Sequence, residues 1–257
     1  MKKKHAYYMM PITIIAIAII FPYLAEKKFK SMFEIKDFEK ERHLIGSVLI
    51  IIAHPDDEIM FYTPTLKNLI SKNIKIKILC LSNGNYDGLG KLREEEFKNV
   101  SNELKLNDNK ILNIPELQDN ITQKWDPSIV SKQIENFLHD NNDIKTILTF
   151  DQNGVTKHPN HISCYNGLMY YIQKNTEELR NKGIKIFTLD SYNFLIQYTI
   201  QIPGLLALVK SYSYFSLTFF TSYNLMSLYK TQFNLLRRAH VVLSGYSYFN
   251  SFSKIEY

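Results

Sequence analysis

His54, Asp56, Asp57 and Glu58 fall within five residues, in the run HPDDE. Carboxylates packed this closely repel and raise one another's pKa values unless a cation joins them. Capping a helix needs one acid, not three, so the count points to a divalent metal. A catalytic zinc site takes three protein ligands and keeps a position for water. One run cannot complete it. The run HPNH supplies two further histidines, His158 and His161, in a loop stiffened by Pro159. Two histidines three residues apart are able to do different jobs.

The elements around these runs must bring them together. Residues 47–53, SVLIIIA, form a β-branched apolar run that reads as a central parallel strand buried on both faces. HPDDE follows it directly, and helical spacing continues over residues 59–72. A second strand is expected at 75–81, a Gly/Asn loop at 83–91, an amphipathic helix at 92–106 and a short strand at 110–114. A helix at 127–139 has Asp126 as N-cap and Pro127 at its first position. A strand at 146–150 leads through a loop to HPNH and a helix over about 161–180, and the strand 185–189 closes the pattern. Strands alternating with helices imply an α/β fold: a Rossmann-like, mostly parallel sheet with helices on both faces. Ligands in such sheets sit at the carboxyl ends of strands, where both runs stand.

With these residues in place, the chain resembles the zinc de-N-acetylases related to N-acetylglucosaminylphosphatidylinositol de-N-acetylase (the PIG-L/LmbE-like family). AHPDDE and HPNH carry the likeness. Residues 79–86, LCLSNGNY, extend it, as do Arg93 with Glu96, Gln118 and Asp119 followed by Trp125 and Asp126, residues 149–155, and the tail 237–252. The resemblance implies that His54, Asp57 and His161 hold zinc, with another divalent metal such as Fe2+ as the alternative. It implies Asp56 as general base and His158 as the group that meets the oxyanion or protonates the leaving amine. Arg93 and Asp119 are the implied substrate contacts, and Glu58 is read as a structural carboxylate. The implied reaction removes acetate from N-acetylglucosaminyl-phosphatidylinositol in GPI-anchor biosynthesis. The alternatives are another N-acetyl sugar conjugate as substrate, or a non-catalytic membrane partner retaining the fold. Lys157 stands where relatives often carry a small residue, and Thr156 where some soluble-sugar enzymes carry tyrosine.

The bulk properties agree with one α/β domain and an anchor. The chain has 257 residues, 45% of them apolar, which permits a core and excludes global disorder. Its net charge of +6 comes from scattered lysines without a nucleic-acid-binding motif, so no nucleic-acid partner is expected. Cys80 and Cys164 are too few and too distant for a disulfide framework. Residues 6–25 carry no charge, enough to span roughly 30 Å of bilayer as a helix. They are expected to be a retained single span rather than a cleaved leader, with 26–45 as tether and 46–257 as the catalytic domain. The basic residues after the span place that domain on the cytosolic side, and the implied substrate places the chain in the endoplasmic reticulum membrane. The aromatic, nearly uncharged segment 191–257 reads either as packing on the core or as a surface that touches lipid.

Overall fold

A computed structural model of the chain describes residues 46–106, 108–199, 212–215 and 220–257. The expected span and tether, residues 6–45, lie outside them. No helix among the described residues is long and apolar enough to cross a membrane.

The run SVLIII forms β1 (Ser47–Ile52), and all six residues are buried. It pairs in parallel with β2 (Ile76–Cys80) on one side and β4 (Ile144–Phe150) on the other, placing Ile52 opposite Cys80 and Ile50 opposite Leu148. A strand enclosed by two strands and two helical layers has no polar face, which is why it reads as a continuous apolar run. Beyond β2 lies β3 (Lys110–Ile111); beyond β4 lies β5 (Lys185–Leu189). Helices α1 (Asp57–Ser71), α2 (Gly90–Glu103), α3 (Pro127–Asp140), the short α4 (Gly154–Lys157) and α5 (Pro159–Asn181) fill the connections. The order 3-2-1-4-5 reverses direction between β1 and β4. Right-handed crossovers therefore put α1 and α2 on one face and α3 and α5 on the other.

The expected elements are present with small shifts. Helix α3 begins at Pro127 with the Asp126 carboxylate accepting the Ser128 N–H. Helix α5 starts at Pro159, two residues before expectation, because His158 serves as its N-cap. The strand expected over 110–114 is only two residues long.

The regular pattern does not close at β5. Two antiparallel strands, β6 (Tyr212–Phe215) and β7 (Phe249–Ile255), extend the sheet past β5, giving seven strands among the described residues. Short helices α6 (Phe194–Gln197), α7 (Thr221–Met226) and α8 (Leu235–Leu243) belong to the same segment. This segment grips α1. The buried Asn250 accepts from the Thr65 N–H at 3.2 Å and hydroxyl at 2.6 Å, and donates to the Phe61 carbonyl at 2.7 Å. The Tyr229 hydroxyl donates to Glu58. Glu96 of α2 accepts from the amide and hydroxyl of Thr231, at 2.8 and 2.6 Å. Tyr229, Tyr246, Tyr248 and Phe252 are buried, so part of the aromatic segment packs on the core, while Phe194, Leu195, Leu235 and Leu236 are exposed.

Candidate metal centre

Both chemical runs leave the carboxyl ends of β1 and β4, neighbours at the point where strand order reverses. Asp56 occupies the N-cap position of α1, yet its side chain makes no cap hydrogen bond. Its φ of 112° lies in the left-handed region, unfavourable for a residue with a Cβ. That backbone turns the carboxylate away from the helix and toward two guanidinium groups. Arg93 Nη2 lies 3.4 Å from Asp56 Oδ2, and Arg237 Nε donates to the same oxygen at 3.0 Å. Burial pushes the Asp56 pKa up, and Arg93 and Arg237 oppose that push.

Asp57 faces the other way. Its Oδ2 accepts from the Ala53 and His54 N–H groups at 3.1 and 2.9 Å. Its Oδ1 lies 3.2 Å from His161 Nε2. Despite burial, the neighbouring His161 and His54 hold its pKa well below the carboxylate range. His161 Nδ1 lies 3.1 Å from the Gly154 carbonyl; with the ring proton on that nitrogen, the Nε2 lone pair faces Asp57. Phe150 stacks on the ring with centroids 4.3 Å apart and fixes its plane.

His54 is oriented in the same manner. Its Nε2 lies 3.1 Å from Asn160 Oδ1 and 3.2 Å from Asp119 Oδ1. With the proton on that nitrogen, Nδ1 presents its lone pair 3.7 Å from Asp57 Oδ2. In those tautomers two imidazole lone pairs would face one carboxylate, an arrangement of acceptors that a cation resolves. Each ring donates its other N–H to an oxygen, as metal-ligating histidines do. The imidazole and carboxylate donors gathered here therefore fit a divalent metal.

His158 completes the cluster: the three histidines offer nitrogens all within 4.8 Å of one another. Its hydrogen bonding differs from theirs. Nδ1 accepts the Asn160 backbone N–H at 3.2 Å while capping α5. An accepting Nδ1 fixes the proton of the neutral ring on Nε2. Burial, then the charges of His161 and His54, push the His158 pKa down to about 4. His158 therefore presents an N–H donor to the site rather than a lone pair.

Arg93 and Asp119 both reach the cluster. Arg93 is buried and donates to the Pro55 carbonyl at 2.6 Å and the Gly84 carbonyl at 3.0 Å, while Nη1 lies 3.6 Å from Asp119. It braces the loop behind the acids. A Cβ at Gly84, where φ is 67°, would sit 2.4 Å from the Arg93 guanidinium. Asp119 orients His54. Sequence reasoning singled out neither Asn160 nor Arg237 for the site. Asn160 accepts from the Asn120 N–H at 3.0 Å and donates to the Gln123 carbonyl at 3.0 Å, tying the 118–125 loop to His54. Its place between the two histidines was the available signal. Arg237 had none of its own, since only the fold of the tail brings it to Asp56.

A family model described as GlcNAc-PI de-N-acetylase (PIG-L) matches residues 49–172. A probable N-acetylglucosaminyl-phosphatidylinositol de-N-acetylase of Schizosaccharomyces pombe is 37% identical over 175 residues, covering 67% of this chain and 68% of the relative. A protein of the same description from Dictyostelium discoideum is 32% identical over 241 residues, covering 81% and 93%. Among solved structures, N,N'-diacetylchitobiose deacetylase from Pyrococcus horikoshii superposes with a TM-score of 0.61 at 14% identity, over 90% of this chain and 92% of that one. At that identity the likeness speaks for the fold.

Proposed function

Because the chain belongs to the GlcNAc-PI de-N-acetylase family, we propose that it hydrolyses the N-acetyl group of N-acetylglucosaminyl-phosphatidylinositol, with zinc held by His54, Asp57 and His161. The observation that carries this reading is the placing of the His161 and His54 rings 3.2 and 3.7 Å from the Asp57 carboxylate, beside a second carboxylate, Asp56, that no helix cap engages. The products are glucosaminyl-phosphatidylinositol and acetate, the second step of GPI-anchor synthesis.

The residues divide the work. A bound zinc supplies polarisation of the amide carbonyl and a lowered pKa for the attacking water. Asp56 takes the proton of that water; Arg93 and Arg237 hold its carboxylate in place and favour its ionised form. His158 Nε2–H donates a hydrogen bond to the oxygen that gains negative charge, and the proton that Asp56 took from the water passes to the leaving amine. Asp119 and Asn160 keep His54 in its ligating tautomer.

The uncharged run 6–25 anchors the chain in the endoplasmic reticulum membrane, and the basic residues after it keep the catalytic domain cytosolic. The lipid carrier of the substrate supports that placement. Purified protein assayed on lipid-linked and on soluble N-acetylglucosaminides tests the substrate. Preference for the lipid-linked form is expected; equal turnover of a soluble sugar conjugate would redirect the reading.

A further inference from the structure

The side chains of helix α8 have different surroundings. His240 and Val241 point into the protein. Leu235 and Leu236 are 79% and 80% exposed, and Leu243, two turns beyond Leu236, is 52% exposed. The neighbouring α6 adds Phe194 and Leu195, 74% and 78% exposed. The two helices are adjacent: Tyr198, just after α6, lies with its hydroxyl 3.2 Å from His240 Nδ1, and Gln197 donates to Ser244 at 3.4 Å. Single exposed leucines are ordinary, but five large apolar side chains on two touching elements form a patch of the kind that meets a partner or a membrane.

Charge identifies the occupant. Neither α6 nor α8 contains an aspartate or glutamate, and α8 carries Arg237, paired with Asp56, and Arg238. Arg238 is exposed on α8, its guanidinium 4.4 Å over the Phe233 ring. Exposed apolar side chains beside the exposed Arg238, on two helices that carry no acid of their own, complement an anionic lipid surface. Two copies of the same cationic face would repel. The patch is also continuous with the site, because Arg237 on α8 reaches Asp56.

We infer that α6 and α8 form an interfacial docking face that seats the mouth of the metal centre on a bilayer bearing anionic lipids. The inference rests on the lipid-linked substrate proposed above and locates how that substrate is met: the leucines enter the headgroup–acyl boundary, Arg238 stays among the headgroups, and the sugar is presented to the site without leaving the membrane.

Cys80 and Cys164 are buried, so an introduced surface cysteine takes a dye selectively. The full chain carrying Leu236→Cys, Leu195→Cys or, on the exposed part of α3, Lys132→Cys is labelled and placed with phosphatidylcholine vesicles, with and without phosphatidylinositol, whose acyl chains are brominated. Quenching at positions 236 and 195 at least about twofold above that at 132, and stronger with phosphatidylinositol, is expected for an interfacial face. Equal quenching at all three positions, or none at 236 and 195, overturns the inference. So does a dimer whose interface protects position 236, which would make a second copy the occupant. The same labelled proteins are assayed for deacetylation in these vesicles with N-acetylglucosaminyl-phosphatidylinositol added. Turnover without quenching at 236 removes the docking face and leaves the substrate reading intact; quenching without turnover does the reverse.

Discussion

Arg237 Nε donates to Asp56 Oδ2 at 3.0 Å, across 181 positions of sequence. The residue assigned as general base is thus held by the tail of the chain, outside the stretch 49–172 that the family model matches. A general base typically contributes a factor of about 10² to 10⁴, and misdirecting it forfeits part of that. Arg237→Gln is expected to lower kcat about tenfold with metal content unchanged, and Arg237→Lys to restore part of the loss. Unaltered kcat in Arg237→Gln would show that Arg93 alone suffices.

His54→Ala and Asp57→Ala are expected to lose bound metal, because each removes a donor from the three that converge. Asp56→Asn keeps the metal and loses roughly 10²-fold or more in turnover. Metal analysis beside steady-state rates separates the two groups. Near-normal turnover by Asp56→Asn would move the base elsewhere.

His158 offers a sharper distinction, since it sits within the same histidine cluster as His54 and His161. Its Nδ1 accepts the Asn160 N–H, which keeps the proton on Nε2. His158→Ala should therefore retain metal while turnover falls about 10²-fold or more. Loss of stoichiometric metal in this variant would make His158 a ligand.

How much of this was legible follows from what each residue depends on. The β1 strand announces itself because burial on both faces requires an unbroken apolar run, and the metal donors announce themselves because acids so close are costly without a cation. Helix α5 began two residues earlier than its apolar spacing indicated, since a histidine is an unusual N-cap and Pro159 carries no periodic signal. Strand β7 stayed hidden because FNSFSKI alternates imperfectly and pairs antiparallel with a strand some sixty positions away in sequence, Thr188 facing Ser253. Arg237 stayed hidden for the same reason: its partner is chosen by the docking of the tail on α1. Arg93 read as a possible sugar contact, whereas the structure surrounds it with the Pro55 and Gly84 carbonyls and two carboxylates.

Asn250 is the joint between that tail and the catalytic helix. Asn250→Ala leaves the Thr65 N–H and hydroxyl and the Phe61 carbonyl without their buried partner. A loss of about 3 kcal/mol in unfolding free energy is expected, read from denaturant midpoints. A change below about 0.5 kcal/mol, the size of an ordinary surface substitution, would mean the tail is not part of the cooperative fold.

His240 gives the fold an acid sensitivity. Burial, with the Arg237 charge adding, pushes its pKa down to about 4, below the ordinary 6.5. Between those values the unfolded chain binds the proton and the folded chain does not, so stability is full above about pH 6.5 and declines as pH falls toward 4. The decline attributable to this group is about 3 kcal/mol. In His240→Gln the stability difference between pH 7 and pH 4.5 should shrink by a comparable amount. An unchanged difference would assign the acid sensitivity to other groups.

The central claim is metal-dependent deacetylation of a lipid-linked sugar at the His54, Asp57 and His161 centre. It is tested most directly by incubating the purified full chain with N-acetylglucosaminyl-phosphatidylinositol in vesicles and following acetate release, before and after metal removal by a chelator and again after zinc is restored. The account predicts release that stops with the chelator and returns with zinc, and none from His161→Ala under any condition. Release that persists in the metal-free protein, or that His161→Ala sustains, would contradict it.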